Sequence, residues 1–409
     1  MCQLLENYEE LASLPVGSGT TTYEWLDSDA GFADACAAAS AEESFAVDTE
    51  FHRERTYYPH VALLQMRWAT TTVLVDTLVV DMAPLAGLLE SKSLPILHAA
   101  DQDLEVFRRA CGTLPARMFD TQIVANFAGF STPSLASLAE RIVGVRLPKG
   151  DRMTDWTRRP LTESQRTYAA SDVAHLDDIR AHLTDDLAAQ GRLEWAEAEC
   201  AASLARATAP GDPDIAWWRI KEARQCRGAA RAVAQELAAW RERRAQATDV
   251  PVRFVLADLA VAAIAQAAPT NVQQLNAVRG LSGRGVRGDV AEEILAAVAR
   301  GKEIPADKLR VPATDDIERE QRPAAALAAA WVAQLARQER IDATMLATRA
   351  DLTAFLAGNK DARLRQGWRA QLVGAPLKRL VDGDAALVFD GNGGLLLEER
   401  SGRALNGSL

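Results

Sequence analysis

Acidic residues stand at short, regular spacings beside two apolar stretches of the chain. Asp48 and Glu50 interrupt the run SFAVDTEF, which otherwise has the composition of a buried strand. Residues two apart in a strand point to the same face, so these two carboxylates are predicted to lie side by side. Asp101 and Asp103 follow the run LPIL at a predicted strand-to-helix junction, a place where α/β proteins collect ligands. One of these two aspartates is also a candidate helix N-cap.

A third stretch, YAASDVAHL, places Tyr168 and Asp172 four residues apart on a predicted helix, and therefore on one helix face. A half-buried tyrosine beside an exposed aspartate is the simpler structural interpretation of the same spacing. Asp120, in FDTQI, also stands near the start of an element, and we interpret it as a helix cap rather than a catalytic residue.

Carboxylates that meet in one pocket repel each other, and without a counter-cation one or more of them would be protonated. Two divalent cations remove this repulsion, and oxygen ligands favour Mg²⁺ or Mn²⁺. Two such ions, about 3.5–4 Å apart, clamp the attacking and leaving oxygens of a phosphoryl displacement. A tyrosine hydroxyl one helical turn from a metal ligand is placed to orient the attacking water. The acidic set therefore predicts metal-dependent cleavage of a phosphodiester.

Composition limits the partners that the chain is expected to have. The net charge of −10 and the pI near 5.2 argue against strong non-specific binding of nucleic acid. The charge is uneven, because residues 212–303 contain 14 Lys and Arg against 11 Asp and Glu. This surplus favours a polyanionic partner for that segment, and scatter over a helical surface explains it equally well.

The five cysteines are scattered and form no C-x-x-C pattern, which indicates reduced thiols in the cytoplasm and no zinc site. No run approaches the length of an apolar membrane span, so no membrane association is expected. The first residues lack the basic and apolar regions of a signal peptide.

Four apolar runs indicate strands, namely SFAVDTEF, HVALLQMRWA, TTVLVDTLVV and LPILHAA. The segment DQDLEVFRRAC indicates a helix directly after the fourth run, and helical spacing dominates residues 117–205. A capping box is predicted from Thr162 to Gln165. Three consecutive strands followed by a strand–helix unit predict a mixed sheet covered by helices.

Segments rich in Pro and Gly, ATAPGDPD and PADKLRVPATDD, are predicted linkers. We therefore expect a lead-in over residues 1–39, an α/β domain over 40–206 and an all-helical domain over 213–303. A second helical domain is expected over 322–409, ending in a hairpin around the turn DGNGG.

The order and spacing of four motifs resemble the ribonuclease D family, in the tyrosine subgroup of the DEDD exonuclease superfamily. The motifs are VDTEFHRERTYYPHVALLQ, LHAADQDLEVF, FDTQI and DRMTDWTRRPLTESQRTYAASDVAHL. The resemblance covers residues 40–205 and implies a ribonuclease H-like α/β fold with two bound Mg²⁺ or Mn²⁺ ions. It implies four metal-ligating carboxylates, and these are Asp48, Glu50, Asp103 and Asp172. It also implies that Tyr168 positions the nucleophilic water.

The same resemblance points to PKGDRMTDW as a segment that lines the site. Lys149, Arg152 and Trp156 are its candidate contacts to the RNA backbone or to a base. The other interpretation is an ordered surface loop in which Trp156 belongs to the core.

Residues 213–303 resemble the HRDC domain through WWRIK, LAAWRERRAQATDVPVRFVLAD, APTNVQQL and VRGL. Because such modules often bind nucleic acid, the basic cluster of Arg241, Arg243 and Arg244 is a candidate RNA contact. These arginines would otherwise satisfy the last carbonyls and the dipole of their helix. The final segment resembles a second, degenerate HRDC-like domain, and we assign it no chemistry.

These observations predict a cytoplasmic 3′→5′ exoribonuclease that releases 5′-mononucleotides one at a time. The resemblance implies the 3′ ends of tRNA precursors or other small structured RNAs as substrates, and we expect a monomer. Two alternatives are a DNA 3′→5′ exonuclease of the same superfamily and a catalytically silent RNA-binding scaffold.

Overall fold

The structure is a computed structural model that describes residues 21–148, 154–208, 211–281, 286–311 and 317–400. Two candidate RNA contacts, Lys149 and Arg152, lie outside the described residues. None of the helices within these ranges combines the length and the apolar content that a membrane span requires.

A six-stranded sheet forms the first half of the chain, in the order β1-β4-β3-β2-β5-β6. Its strands are β1 Glu24–Leu26, β2 Ser44–His52, β3 His60–Trp68, β4 Thr71–Val75, β5 Leu94–Leu97 and β6 Phe119–Asp120. β3 runs antiparallel to β2 and β4, whereas β1, β5 and β6 run parallel to their neighbours. The predicted mixed sheet is confirmed.

The fourth strand is shorter than its apolar run suggests. The sequence predicts a strand through Val80, but β4 ends at Val75. Asp76 ends the strand because its carboxylate accepts a hydrogen bond from the backbone N–H of Leu78, which starts a turn. The same carboxylate forms an ion pair with Arg159 at 2.7 Å, which ties this turn to the segment before a later helix.

Helices cover both faces of the sheet. They are Asp29–Ser40, Ala83–Leu89, Asp101–Cys111, Thr121–Ala125, Leu135–Leu138 with its π-helical extension Ala139–Val143, Glu163–Ala174, Leu176–Ala189 and Leu193–Thr208. On one face, Phe45, Val47 and Phe107 belong to the large apolar core. On the other, a smaller cluster that includes Leu63 and Leu74 packs against Ala169 and Ala170 of Glu163–Ala174. The predicted capping box of this helix is confirmed.

The middle part of the chain is all-helical and has a core of its own. It comprises the 3₁₀ helices Pro213–Arg219 and Ala306–Lys308 and the α-helices Lys221–Arg224, Ala229–Thr248, Val252–Val255, Asp258–Ala267, Val272–Asn276 and Asp289–Glu303. Trp217 and Trp240 are buried within this core, so these aromatic rings stabilise the domain.

The last part of the chain is helical and ends in the expected hairpin of β7 Ala385–Phe389 and β8 Leu395–Glu399. Its helices are Arg319–Gln321, Arg322–Glu339, Ala343–Leu346, Arg349–Leu356, Arg363–Arg365, Gly367–Arg369, Ala370–Gly374 and Ala375–Asp382. Trp331 and Trp368 belong to the same apolar core as the sheet, and Trp368 stacks on Trp195 with ring centroids 5.1 Å apart. The domain boundaries themselves stay predictions.

Candidate active site

A cavity of about 1570 Å³ opens beyond the carboxyl end of β5. All five residues that the sequence singles out for catalysis line it, namely Asp48, Glu50, Asp103, Tyr168 and Asp172. They come from one strand and two helices that are far apart in sequence. The structure therefore places the predicted set at a single location.

Strand β2 presents Asp48 and Glu50 because of how it pairs. β5 lies beside β2 only over Ser44–Ala46, so the following residues of β2 are left open on that side. On the other side β3 continues, with a bulge in the pairing between Glu50 and Phe51. Bulges are common next to active sites, because they redirect side chains without ending a strand.

Asp103 is buried in the first turn of the helix Asp101–Cys111. The hydroxyl of Thr49, which stands between the two acidic residues of β2, donates a 2.5 Å hydrogen bond to Asp103 Oδ1. A sequence-based search for acidic clusters overlooks Thr49. Its only signal in the sequence is a hydroxyl residue between two acidic residues.

Asp120 holds the junction that precedes this helix. Its carboxylate caps Thr121–Ala125, as predicted, and also accepts hydrogen bonds from the backbone N–H groups of Ala99 and Ala100. Ala99 has φ +59°, a left-handed conformation that an L-residue adopts only when its surroundings hold it. The alternative interpretation of Asp101 or Asp103 as the helix N-cap does not apply, since Ala100 occupies that position without a side-chain cap.

Tyr168 and Asp172 lie one turn apart on Glu163–Ala174, the helix that packs across β2, β3 and β4. The ring of Tyr168 packs near the indole of Trp156, with 6.1 Å between centroids. The helix is fixed to the sheet by the small cluster beneath it. Its tyrosine hydroxyl and its carboxylate are thus held toward the cavity by a rigid element.

The carboxylates influence one another. Burial raises the pKa of Asp48 well above its usual range, and the nearby charge of Asp172 raises it further. Burial likewise raises the pKa of Asp103, with the charge of Asp48 as the next contribution. The three groups therefore form one electrostatic unit in which an added negative charge is unfavourable.

The donor groups of this site suit a divalent cation. Four carboxylates line one cavity, and the positive charge of a cation would relieve their repulsion. In the arrangement that the described residues have here, these carboxylates do not yet form a ready-made metal-binding group. The hydrogen bond from Thr49 engages one oxygen of Asp103 in this arrangement.

Trp156 and Arg241, two of the candidate RNA contacts, are buried in this structure. Trp156 borders the cavity, but its side chain belongs to the small apolar cluster and the residue is 4% exposed. Arg241 is also 4% exposed and donates to the carboxylate of Asp258 and the carbonyl of Leu256. Trp156 thus occupies a core position, in agreement with the second interpretation of its segment. The hydrogen bonds of Arg241 stabilise the HRDC-like domain to which it belongs.

Arg243 and Arg244 are bound to carboxylates of the same domain. Arg243 pairs with Asp214 at 2.5 Å, and Arg244 pairs with Glu293 and Asp289. Neither arginine lines the cavity. Their role in RNA binding stays a prediction.

Comparison with known proteins agrees with this geometry. Residues 23–188 match the 3′-5′ exonuclease family and residues 230–298 match the HRDC domain. Ribonuclease D of Jannaschia sp. (strain CCS1) is 36% identical over 365 residues, which cover 87% of this chain and 94% of the relative. This chain belongs to the ribonuclease D family. Ribonuclease D of Escherichia coli (strain K12) is 34% identical over 370 residues, which cover 88% of this chain and 98% of that relative.

The crystal structure of Escherichia coli ribonuclease D, described as an exoribonuclease involved in structured RNA processing, superposes with a TM-score of 0.79. The match has 33% identity and covers 88% of this chain and 99% of that one. A protein from Bifidobacterium adolescentis shares the fold, with a TM-score of 0.67 and 22% identity. As a ribonuclease D, the chain is a 3′→5′ exoribonuclease that acts on RNA, in a family that generally depends on divalent metal ions.

Proposed function

We propose that this ribonuclease D uses two divalent cations, Mg²⁺ or Mn²⁺, to remove nucleotides singly from RNA 3′ ends. The observation that carries the proposal is the convergence of four carboxylates and one tyrosine on a single open cavity. Asp48, Glu50, Asp103 and Asp172 would hold the ions. When bound, such ions supply an activated water and stabilise charge on the leaving oxygen.

The chain's own residues then have separate tasks. Tyr168 orients the attacking water through its hydroxyl, because it stands one helical turn from Asp172. The oxygen of the attacking water forms a new bond to phosphorus, while the bond between phosphorus and the 3′ oxygen of the preceding nucleotide breaks. That oxygen takes up a proton, so the products are a 5′-mononucleotide and an RNA shortened by one residue. The rigid β2 keeps Asp48 and Glu50 in place throughout.

We propose the 3′ ends of tRNA precursors or other small structured RNAs as substrates. The description of the Escherichia coli relative as an enzyme of structured RNA processing supports this class. A cytoplasmic location agrees with the four described cysteines, which are free thiols. The monomeric state stays a prediction.

A degradation ladder tests the proposal. RNA labelled at its 5′ end should shorten stepwise, and RNA labelled at its 3′ end should release labelled mononucleotide at once. Both reactions should stop in EDTA and resume with Mg²⁺ or Mn²⁺. Matched DNA oligonucleotides should be cleaved more slowly, and equal rates would favour the DNA exonuclease alternative.

Asp48→Asn should lower the rate by orders of magnitude, because it removes a proposed metal ligand. Asp101→Asn is the matched control, since Asp101 also lines the cavity but accepts a hydrogen bond from Ser203. Wild-type rates in the Asp48→Asn variant would overturn the metal-site assignment. RNA binding without release of any nucleotide by the wild-type protein would favour the scaffold alternative.

A further inference from the structure

The HRDC domain is fastened to the rim of the cavity through Asp249. This residue ends the helix Ala229–Thr248, and one of its carboxylate oxygens accepts hydrogen bonds from the backbone N–H groups of Tyr57 and Tyr58. Its other oxygen lies 2.6 Å from His60 Nε2. The three contacts hold the turn between β2 and β3 against the end of the helix.

The side chain of Tyr57 adds a second attachment. Its hydroxyl donates to Glu242 at 2.6 Å and accepts a hydrogen bond from Gln246 at 3.1 Å. Both partners lie on Ala229–Thr248, the helix that Asp249 terminates. The HRDC domain and this turn therefore form a continuous surface with a defined geometry.

The turn so held is part of the cavity wall, because Arg53, Glu54 and Arg55 all line the cavity. The next HRDC helix, Val252–Val255, reaches the same turn, since Arg253 donates to the backbone carbonyl of Glu54 at 3.3 Å. The HRDC helix Val252–Val255 is therefore in direct contact with a segment that lines the candidate active site.

An aromatic ring and a cation stand together at this point. Phe254 is 61% exposed, and the guanidinium of Arg253 lies 5.2 Å from its ring centroid. A solvent-facing aromatic ring beside an arginine is the combination that binds single-stranded nucleic acid, through base stacking and a charge on the backbone. Arg55, which lines the cavity, and Arg253 are both exposed.

Other exposed apolar residues lack this setting. Phe389, at the end of β7, is 81% exposed, and Leu259 is 67% exposed, but neither lines the cavity, and neither follows a residue that is hydrogen-bonded to the cavity rim as Arg253 is. Single exposed apolar side chains are common on protein surfaces and need no function. The position of Phe254 at the joint between the two domains is what distinguishes it.

We propose that Arg253 and Phe254 form a binding site for the single-stranded RNA just upstream of the nucleotide held in the cavity. One upstream base stacks on the exposed side of Phe254, and Arg253 with Arg55 contacts the phosphates that connect it to the 3′ end. The inference deepens the proposed function and rests on it for placing the 3′ end in the cavity. It assigns the RNA contact of the HRDC domain to the Val252–Val255 helix, away from Arg241.

Substrate length separates the two sites, because in this proposal a dinucleotide occupies only the cavity, whereas a 12-nucleotide RNA also reaches Phe254. Phe254→Ala should lower kcat/KM on a 12-nucleotide single-stranded RNA about 10-fold, mainly through KM, and should leave dinucleotide hydrolysis unchanged. Phe254→Trp should retain or improve activity on the longer RNA. Phe389→Ala is the matched control for loss of an exposed aromatic ring, and it should change neither substrate. An unchanged 12-nucleotide rate in Phe254→Ala, or an equal loss on both substrates, would overturn the proposal.

Binding measured apart from hydrolysis separates this inference from the catalytic one. In the Asp48→Asn background, fluorescence anisotropy with the same 12-nucleotide RNA should show about 10-fold weaker binding for Phe254→Ala. Arg253→Gln should reduce the slope of log affinity against log salt by about 0.7, the value for one phosphate contact on a single strand. A slope equal to that of the parent protein would show that Arg253 does not contact the RNA backbone. Because anisotropy measures binding and not cleavage, a failure of this inference is distinguishable from a failure of the catalytic proposal.

Discussion

Thr49 donates a hydrogen bond of 2.5 Å to Asp103, a residue 54 positions later in the chain. The contact joins β2, which carries Asp48 and Glu50, to the helix Asp101–Cys111. Both partners are buried, so water does not compete for the bond. Two of the three elements that supply carboxylates to the cavity are thereby held in one relative position.

Thr49→Val should lower kcat about 10-fold or more with little change in KM, because groups that orient metal ligands typically contribute about 10- to 100-fold. The substitution keeps the shape of the side chain and removes the donor. Thr49→Ser restores the hydroxyl and should recover most of the activity. Steady-state kinetics on a single-stranded RNA at saturating Mg²⁺ measures the effect. Equal kcat in the wild-type and Thr49→Val proteins would show that the bond does not position Asp103.

Gln65 lies opposite Asp48 in the pairing of β2 with β3 and is fully buried. Its amide nitrogen and oxygen make no hydrogen bond within the described part of the chain. A buried polar group without a partner is unfavourable by about 1–3 kcal/mol, so Gln65→Leu should raise the free energy of unfolding by about 1–2 kcal/mol. Urea denaturation measures the change.

Gln235→Leu is the matched control for the Gln65 prediction. Gln235 is also buried, but its amide oxygen accepts a hydrogen bond from the backbone N–H of Arg310 at 2.8 Å. Its replacement leaves that N–H without a partner and should lower the free energy of unfolding by about 1–2 kcal/mol. A destabilisation of similar size in Gln65→Leu would show that the Gln65 amide is satisfied in solution.

The burial of His98 makes the free energy of unfolding depend on pH. Burial lowers the pKa of His98 to about 4, whereas in the unfolded chain it is near 6.5. Between these values the unfolded state binds the additional proton, so the free energy of unfolding falls as the pH is lowered through this window. From pH 7 to pH 5 the contribution of this one group is about 2 kcal/mol.

Denaturation of the His98→Asn variant over the same pH range isolates that contribution, and its profile should be flatter than that of the wild-type protein. The control is His182→Asn, which replaces a histidine at an exposed position on Leu176–Ala189. Parallel profiles for the wild-type and His98→Asn proteins would mean that His98 binds its proton equally well in the folded and the unfolded states.

Arg369 and Glu199 form a buried ion pair between the last helices and the nuclease part of the chain. Arg363 pairs with the other oxygen of Glu199 at 2.7 Å. Arg369→Met leaves the buried carboxylate without its main partner, so the free energy of unfolding should fall by about 3–5 kcal/mol. The double variant Glu199→Leu with Arg369→Met removes both charges and should recover most of the loss. Chemical denaturation of the two variants measures this, and an equal loss in both would show that packing, and not charge, decides the effect.

Much of the candidate site follows from local sequence. The spacing of Asp48 and Glu50 is a property of any strand, and the spacing of Tyr168 and Asp172 is a property of any helix. The capping box at Thr162 depends on residues three positions apart, so it is equally visible in the sequence. Such features involve residues close together in the chain. Their relative positions are set by the helix or strand that contains them and not by the rest of the fold.

Tertiary structure decided the contacts that depend on burial and on distant partners. The sequence presented Arg241, Arg243 and Arg244 as one basic cluster, yet Arg241 is buried with Asp258 while the other two bind surface carboxylates. Tertiary structure also decided that Trp368 shares a core with the sheet and that Asp249 binds the cavity rim, since both contacts join residues far apart in sequence.

The sequence by itself therefore determined which residue types carry the chemistry, and the tertiary structure decided which of them share a cavity and what holds them there. The sequence shows which residues are carboxylates. Its pKa, its exposure and its hydrogen-bond partner depend on groups that only the folded chain brings within a few ångströms, as Thr49 does for Asp103.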